Sequence, residues 1–295
     1  MYLIQKIEEL SIKSEDARRG VAEFVLEHAS SIHEYTIERI AEETFTSKAT
    51  VTRFAKMLGF QGWRDFLKAF VSECRRQEGY ADDIDVNFPF GKTDDVHIIA
   101  ENIRRLKEES LKDTENMLDV NMLHRAVNRM VSARRIVLIT ERPNMYFARA
   151  FRWKMLSIGR NVEIVESGEM GLVSYSLGAS DMVIMISYSG NNPYASPMNH
   201  LATLLERNVM LVGITSVGDN YIRRNVDCIL TISSRERLYS KISNFATEES
   251  IDYLLDLLFS CYYAREYEKN RSFRENSARE LERSRTTVLQ EMKER

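Results

Sequence analysis

At 295 residues the chain is long enough for two domains, each with its own apolar core. A formal net charge of -3 excludes a globally basic nucleic-acid binder, so any affinity for nucleic acid must come from a local patch. No apolar run approaches the roughly 18 residues that a membrane-crossing helix needs, and no membrane partner is expected. Cys74, Cys228 and Cys261 lie far apart without metal-ligand spacing, and an odd number with no signal peptide points to reduced thiols in the cytoplasm. The histidines form no metal-binding pair, so neither a metal nor a cofactor is expected.

The N-terminal region reads as all-α. A short helix fits Tyr2 to Leu10, and a second runs from Ser14, as cap, to Glu27 with Ala17, Val21, Phe24 and Val25 inward. Thr36 to Thr44 gives a third, with Ile37, Ile40 and Ala41 inward, and Phe45 and Thr46 form a turn. The stretch from Ser47 to Gly59 is the most informative. Ser47 is a favoured helix cap, and Val51, Phe54, Ala55 and Leu58 recur at helical spacing to make one apolar stripe. Ala49, Arg53 and Lys56 point the opposite way with Thr52 beside them, and Gly59 can end the helix in the left-handed conformation. An exposed helix face of cations, a methyl and hydroxyls suits phosphates and major-groove base edges. Ser47, Lys48, Ala49, Thr50, Thr52, Arg53 and Lys56 are therefore candidate DNA-contacting residues. An ordinary helical hairpin in an all-α core fits the same pattern, and the turn lacks the glycine that many helix-turn-helix motifs carry. Trp63, Phe66, Leu67, Phe70 and Val71 make a further helix, and residues 46–76 hold seven cations against two carboxylates.

The run from Thr46 to Phe70, TSKATVTRFAKMLGFQGWRDFLKAF, resembles the N-terminal DNA-binding domain of the RpiR family of bacterial transcription regulators. Ser47, Ala49, Thr50, Val51, Arg53, Phe54, Lys56, Leu58, Gly59, Phe60, Gly62 and Trp63 all fall on the family's gap-free pattern. The resemblance implies a double-stranded DNA operator as partner.

Arg76 to Lys92 has no sustained period and contains Gly79, Pro89 and Gly91, which reads as a linker. Thr93 is then expected to cap a helix from Asp94 to about Leu118, followed by one from Asn121 to Ala133. Beyond it the period changes. Ile136–Ile139, Val162–Val165, Met182–Ile186, Met210–Ile214 and Cys228–Ile232 are short β-branched runs. Helical stretches at Tyr146–Ile158, Gly168–Leu177 and Pro193–Arg207 separate most of them. Such alternation predicts an α/β, doubly wound, five-stranded parallel sheet, closed by a helix from Ile242 to about Tyr267. The expected division is residues 1–76, a linker over 77–93, an α/β domain over 94–270 and a charged helix or tail over 271–295.

The third run ends in Ser187-Tyr188-Ser189-Gly190-Asn191-Asn192-Pro193. Ligands of open parallel sheets bind beyond the carboxyl ends of the strands, and a helix beginning at Pro193 would add anion-binding N–H groups. A polar strand-to-helix turn with a capping serine fits as well. The segment resembles the loop of the sugar-isomerase (SIS) domain, the sensor module of RpiR-type regulators and the core of several phosphosugar isomerases. Gly178 to Asp181, Gly213 to Thr215 and Ile251 to Leu254 match other SIS landmarks. The family pattern implies that Ser187, Ser189, Gly190, Asn191 and Asn192 hold the phosphate end of a phosphorylated sugar. Two places depart from it. Thr140-Glu141-Arg142-Pro143-Asn144 stands where the family has a glycine- and serine-bearing loop, and Ser243-Asn244 where it often has Ser-Arg. A close approach of backbone to phosphate normally needs glycine, and Glu141 repels an anion unless Arg142 offsets it.

The expectation is a regulator of RpiR type that performs no chemistry and acts as a homodimer or homotetramer, controlling sugar or amino-sugar genes in response to a phosphosugar-like effector. One alternative is a phosphosugar isomerase-like enzyme, for which Glu248 and Glu249 are the available carboxylates. The other is a regulator whose SIS domain only dimerises.

Overall fold

Two hydrophobic periods in the sequence build two separate cores. The structure is a computed structural model that describes residues 3–13, 16–29, 31–78, 84–233 and 235–281. Its N-terminal part comprises α1 (Leu3–Lys13), α2 (Ala17–Glu27), α3 (Ile37–Glu43), α4 (Lys48–Met57) and α5 (Trp63–Glu78). Val21, Val25, Ile40, Val51, Phe54, Phe66 and Phe70 are fully buried between them. The Phe66 ring lies edge-on to Phe54 at 5.6 Å and tilted against Trp63 at 4.9 Å, so α4 and α5 are locked by aromatic packing. Ser14, expected as the cap of α2, lies outside the described residues. Asp16 caps it instead, its carboxylate accepting from the Arg18 N–H at 3.0 Å. Ala17, expected inward, is exposed on the first turn.

The turn between α3 and α4 supplies a glycine conformation without a glycine. Phe45 has φ 51° and its side chain is 97% exposed. Its N–H bonds to Glu42 O at 3.1 Å and the Thr46 N–H to Ala41 O at 2.8 Å, so the turn's backbone is satisfied. The Thr44 and Thr46 hydroxyls meet at 2.9 Å and brace it. These bonds hold a bulky residue in a region that costs it about 1 kcal/mol or more.

The second part opens with α6 (Val96–Asn116) and α7 (Val120–Ser132). Asp95 caps α6, not Thr93: its carboxylate accepts from the His97 and Ile98 N–H groups at 2.8 and 3.1 Å. There follow β1 (Ile136–Thr140), α8 (Met145–Leu156), β2 (Glu163–Ile164), α9 (Met170–Ser176), β3 (Met182–Ile186), α10 (Leu201–Glu206), β4 (Met210–Ser216), α11 (Tyr221–Asn225), β5 (Ile229–Ile232), α12 (Phe245–Arg265) and α13 (Tyr267–Leu281). The sheet is parallel throughout, in the order β2-β1-β3-β4-β5. One face (Ile136, Leu138, Ile184, Ile186, Val212, Ile214) packs on α7, α8 and α12; the other (Val137, Ile139, Val183, Met185, Leu211) on α9, α10 and α11. Chain order reverses between β1 and β3, which are paired with Thr140 opposite Ile186. That is the topological switch point, where open α/β sheets bind ligands.

Several elements differ from the sequence reading. β2, at the sheet edge beside β1, has two residues and not the four expected. The helix expected over Pro193–Arg207 starts late. A turn occupies 193–197, a 3-10 turn covers Met198–His200, and α10 begins at Leu201. The Asn192 carboxamide accepts from the Tyr194 N–H at 3.0 Å, an Asx turn that competes with helix, and Pro197 removes a donor. The closing helix, expected from Ile242 to about Tyr267, is α12, and the first part of the charged extension forms α13. α13 folds back so that Phe273 lies against Gly159 and Arg274 lies 5.9 Å from the Trp153 ring. The rest of the charged tail, 282–295, lies outside the described residues.

The segment between β5 and α12 is tied down on three sides. The Arg235 guanidinium reaches Glu109 at 3.1 Å and Asp113 at 3.2 Å on α6. Buried Glu236 accepts from the Ala246 and Thr247 N–H groups and so caps α12. Asn87 accepts from the Arg237 N–H through its side chain at 2.6 Å and from the Ile242 N–H through its carbonyl at 2.9 Å. Finally the Leu238 N–H donates to Glu8 of α1 at 2.6 Å, joining the two parts of the chain.

Candidate functional sites

The first site is the exposed face of α4. Ser47 caps it, its hydroxyl accepting from the Thr50 N–H at 3.1 Å. Val51, Phe54 and Ala55 are buried, which turns Lys48, Ala49, Arg53 and Lys56 out to solvent. Lys48 pairs with Glu38 of α3 at 2.7 Å, while Arg53 and Lys56 have no carboxylate partner among the described residues. The Thr52 hydroxyl donates to Lys48 O at 3.0 Å, and the Thr50 and Ser47 hydroxyls share a bond of 3.0 Å. The helix therefore offers two unpaired cations, a methyl and hydroxyl oxygens on one surface, with Phe45 exposed at its entrance.

The second site is the carboxyl end of the sheet at the switch point. Here β1 and β3 release their loops side by side, joined where the Thr140 hydroxyl donates to Ile186 O at 2.9 Å. The Ser187–Asn191 loop is bound firmly from behind. Thr215 Oγ1 donates to Tyr188 O at 3.2 Å, the Ser216 N–H to the same oxygen at 3.1 Å, and the Ile222 N–H to Gly190 O at 3.2 Å. Gly190 has φ 56°, and a Cβ there would stand 2.7 Å from Thr215 Oγ1 and 3.0 Å from Asn220 Oδ1. Only glycine lets the loop settle so closely. Ser187 Oγ accepts from the Gly190 N–H at 3.3 Å, while half-buried Ser189 makes no side-chain hydrogen bond among the described residues. Asn191 is half-buried, and exposed Asn192 holds the Asx turn. Because α10 begins only at Leu201, no helix N-terminus starts at Pro193 beside this loop, and the groups that could meet an anion here are the loop's own N–H and O–H groups.

Glu141 enters the same place from the β1 loop. It accepts from Ser196 Oγ at 2.5 Å and from Ser167 Oγ at 2.8 Å, so one carboxylate ties together the loops that follow β1, β2 and β3. His200 is near enough to feel that charge, but burial pushes its imidazole below the usual range against the pull of Glu141. Ser167, Ser196 and His200 were not legible as site residues: single polar residues in three different segments carry no spacing signal. Thr215 and Asn220, which shape the serine loop, were missed for the same reason. Glu249 is held by Lys107 at 2.6 Å on the α6 side, and burial raises neighbouring Glu248 above the ordinary carboxylate range. Ser243 and Asn244 precede α12 and do not lie within the last helix.

Residues 1–76 match the helix-turn-helix domain of the rpiR family, and residues 129–247 match the SIS domain. Over 261 residues the chain is 23% identical to an uncharacterised HTH-type transcriptional regulator of Clostridium perfringens, covering 88% of this chain and 91% of that protein. The structure is similar to that of the Vibrio vulnificus NanR protein complexed with ManNAc-6P, with TM-score 0.60 and 20% identity over 97% of this chain and all of that one. The sugar isomerase domain of an RpiR transcription factor from Sphaerobacter thermophilus gives TM-score 0.53 and 18% identity, covering 61% of this chain and 98% of that one.

Proposed function

We propose that this chain, a transcriptional regulator of the RpiR type with the rpiR-family helix-turn-helix domain followed by a SIS domain, binds an operator through α4 and changes its affinity when a phosphosugar-like effector occupies the carboxyl end of the sheet. The observation that carries the reading is the exposed face of α4, where Arg53 and Lys56 stand unpaired above a buried aromatic core. It acts by binding and performs no reaction, in the cytoplasm, with residues 1–76 as the DNA-binding part, 77–93 as the linker, 94–270 as the sensor and 271–295 as a charged extension. Ser187, Ser189, Gly190, Asn191 and Asn192 hold the effector's anionic end. The similarity of the fold to a NanR structure containing ManNAc-6P supports that class of effector. Isolation of genomic fragments by the purified chain, followed by footprinting, tests the reading. Failure to enrich any discrete sequence would count against it.

A homo-oligomer with at least twofold symmetry follows from the way paired motifs read DNA half-sites. α6 and α7 leave Val96, Ile98, Val120 and Val131 exposed, apolar surface suited to a second copy, whereas the apolar side of α12 is already spent inside the chain. Sedimentation should give a dimer or tetramer at micromolar concentration, and a stable monomer would contradict this.

The segment between β5 and α12 is the proposed route from sensor to DNA-binding part. It starts at the ligand end of the sheet and finishes on Glu8, whose carboxyl group is raised above its usual range mainly by burial, against the lowering effects of the Leu238 bond and of Arg237 and Lys241. Glu8→Ala should leave effector affinity unchanged while the effector-induced change in operator affinity shrinks. Fluorescence anisotropy with and without effector would check it; an undiminished response would remove Glu8 from the route.

A further inference from the structure

The proposed function leaves one charge at the effector site unexplained. Glu141 is half-buried, and no cation pairs with it among the described residues. Among the described residues its carboxylate accepts hydrogen bonds from two neutral hydroxyls, those of Ser167 and Ser196. A carboxylate has about four lone-pair positions, so two hydroxyl donors leave roughly half of its accepting capacity open. Burial favours the neutral ring of His200, which weakens it as a countercharge. An uncompensated carboxylate at the carboxyl end of the sheet, beside the switch point, calls for a cationic group from elsewhere.

Its position relative to the serine loop is fixed by register. Thr140 lies opposite Ile186, so Glu141 and Ser187 are the first residues to leave two neighbouring strands. Adjacent strands are about 4.8 Å apart, so a ligand whose anion rests on the Ser187–Asn191 loop places its body within reach of Glu141. A sugar phosphate with only hydroxyls there meets repulsion between its phosphate and Glu141. One with an ammonium substituent meets attraction at the second point, which offsets the first.

We propose that Glu141 makes this site selective for sugar phosphates that carry a free, protonated amine. The inference rests on the reading that the Ser187–Asn191 loop holds the phosphate, and it adds the substituent that distinguishes one phosphosugar from another. It also gives a purpose to the loss of glycine from the β1 loop: the loop binds the ligand's cation and no longer approaches its phosphate.

The test is calorimetry on the full chain at pH 6.5 with glucosamine 6-phosphate and glucose 6-phosphate, a pair that differs only in the amine. Wild type should bind the amine at least about tenfold more tightly, the effect expected of one hydrogen bond to a charged group. Glu141→Gln should bring the two affinities together, chiefly by weakening the amine. Glu141→Asp keeps the charge and should retain part of the preference, which guards against a variant that merely loosens the three loops; melting curves of each variant confirm that it is folded. Ser187→Ala with Ser189→Ala should weaken both sugars alike. Equal binding of the two sugars by wild type would overturn the role of Glu141 while leaving the phosphate loop in place. A preference that survives Glu141→Gln would overturn it too. Binding of neither sugar would overturn the phosphate reading and the selectivity with it.

Discussion

Arg53→Ala should weaken specific operator binding by about 1–3 kcal/mol, roughly five- to 150-fold, without loss of helix content. The size follows from where Arg53 stands. It is on the solvent side of α4, opposite buried Val51, Phe54 and Ala55, with no carboxylate among the described residues to compete for it. Its removal therefore takes away a contact to DNA and nothing from the core. Lys56→Ala, one turn further on, should weaken binding to all sequences more evenly and reduce the salt dependence by about one counterion, as loss of a phosphate contact does. Lys48 should matter less, because part of its charge is already answered by Glu38 at 2.7 Å. Near-normal operator affinity in folded Arg53→Ala would remove α4 from the interface.

The second large effect is expected at the sheet. Ser187→Ala with Ser189→Ala should lower affinity for an anionic effector at least tenfold, since hydrogen bonds to a charged group contribute about 1.5–3 kcal/mol each. The fold should survive, because the loop is held mainly by backbone and by Thr215, through bonds to Tyr188 O and Gly190 O, and these hydroxyls add only the long bond from Gly190 N–H to Ser187. Ser189 should account for the greater part. Its hydroxyl is unengaged, whereas Ser187 already accepts from the Gly190 N–H. Calorimetry against sugar phosphates would check both variants, and unchanged affinity in the double variant would move the anion elsewhere.

Both folds were legible because their periods differ. The stripe Val51, Phe54, Ala55 and Leu58 at helical spacing, and the β-branched runs such as MVIMI and IVLI, are local patterns that burial then honours. Helix boundaries fared worse where two capping residues lay close together. Thr93 and Asp95 both suit a cap, and the carboxylate that faces two free N–H groups took the role. The stretch after Pro193 has helical composition, but Asn192 and Pro197 impose turns that a periodicity count does not weigh. The candidate site was half visible. The serine loop is contiguous and could be read directly, whereas Glu141, Ser167, Ser196 and His200 meet only because three strands of different sequence position end together.

One chain is expected both to read an operator and to sense a small anion, and fluorescence anisotropy tests this most directly: a footprinted genomic fragment is titrated with the full chain at fixed salt, with and without glucosamine 6-phosphate. Binding should be saturable and sequence-specific, with an affinity that shifts by about fivefold or more with the sugar phosphate, the lower end of ordinary allosteric coupling. The shift should disappear in Ser187→Ala/Ser189→Ala while binding of the fragment remains. Sequence-specific binding that no sugar phosphate alters would leave a DNA-binding protein without this sensor, and no sequence-specific binding by the folded chain would overturn both roles.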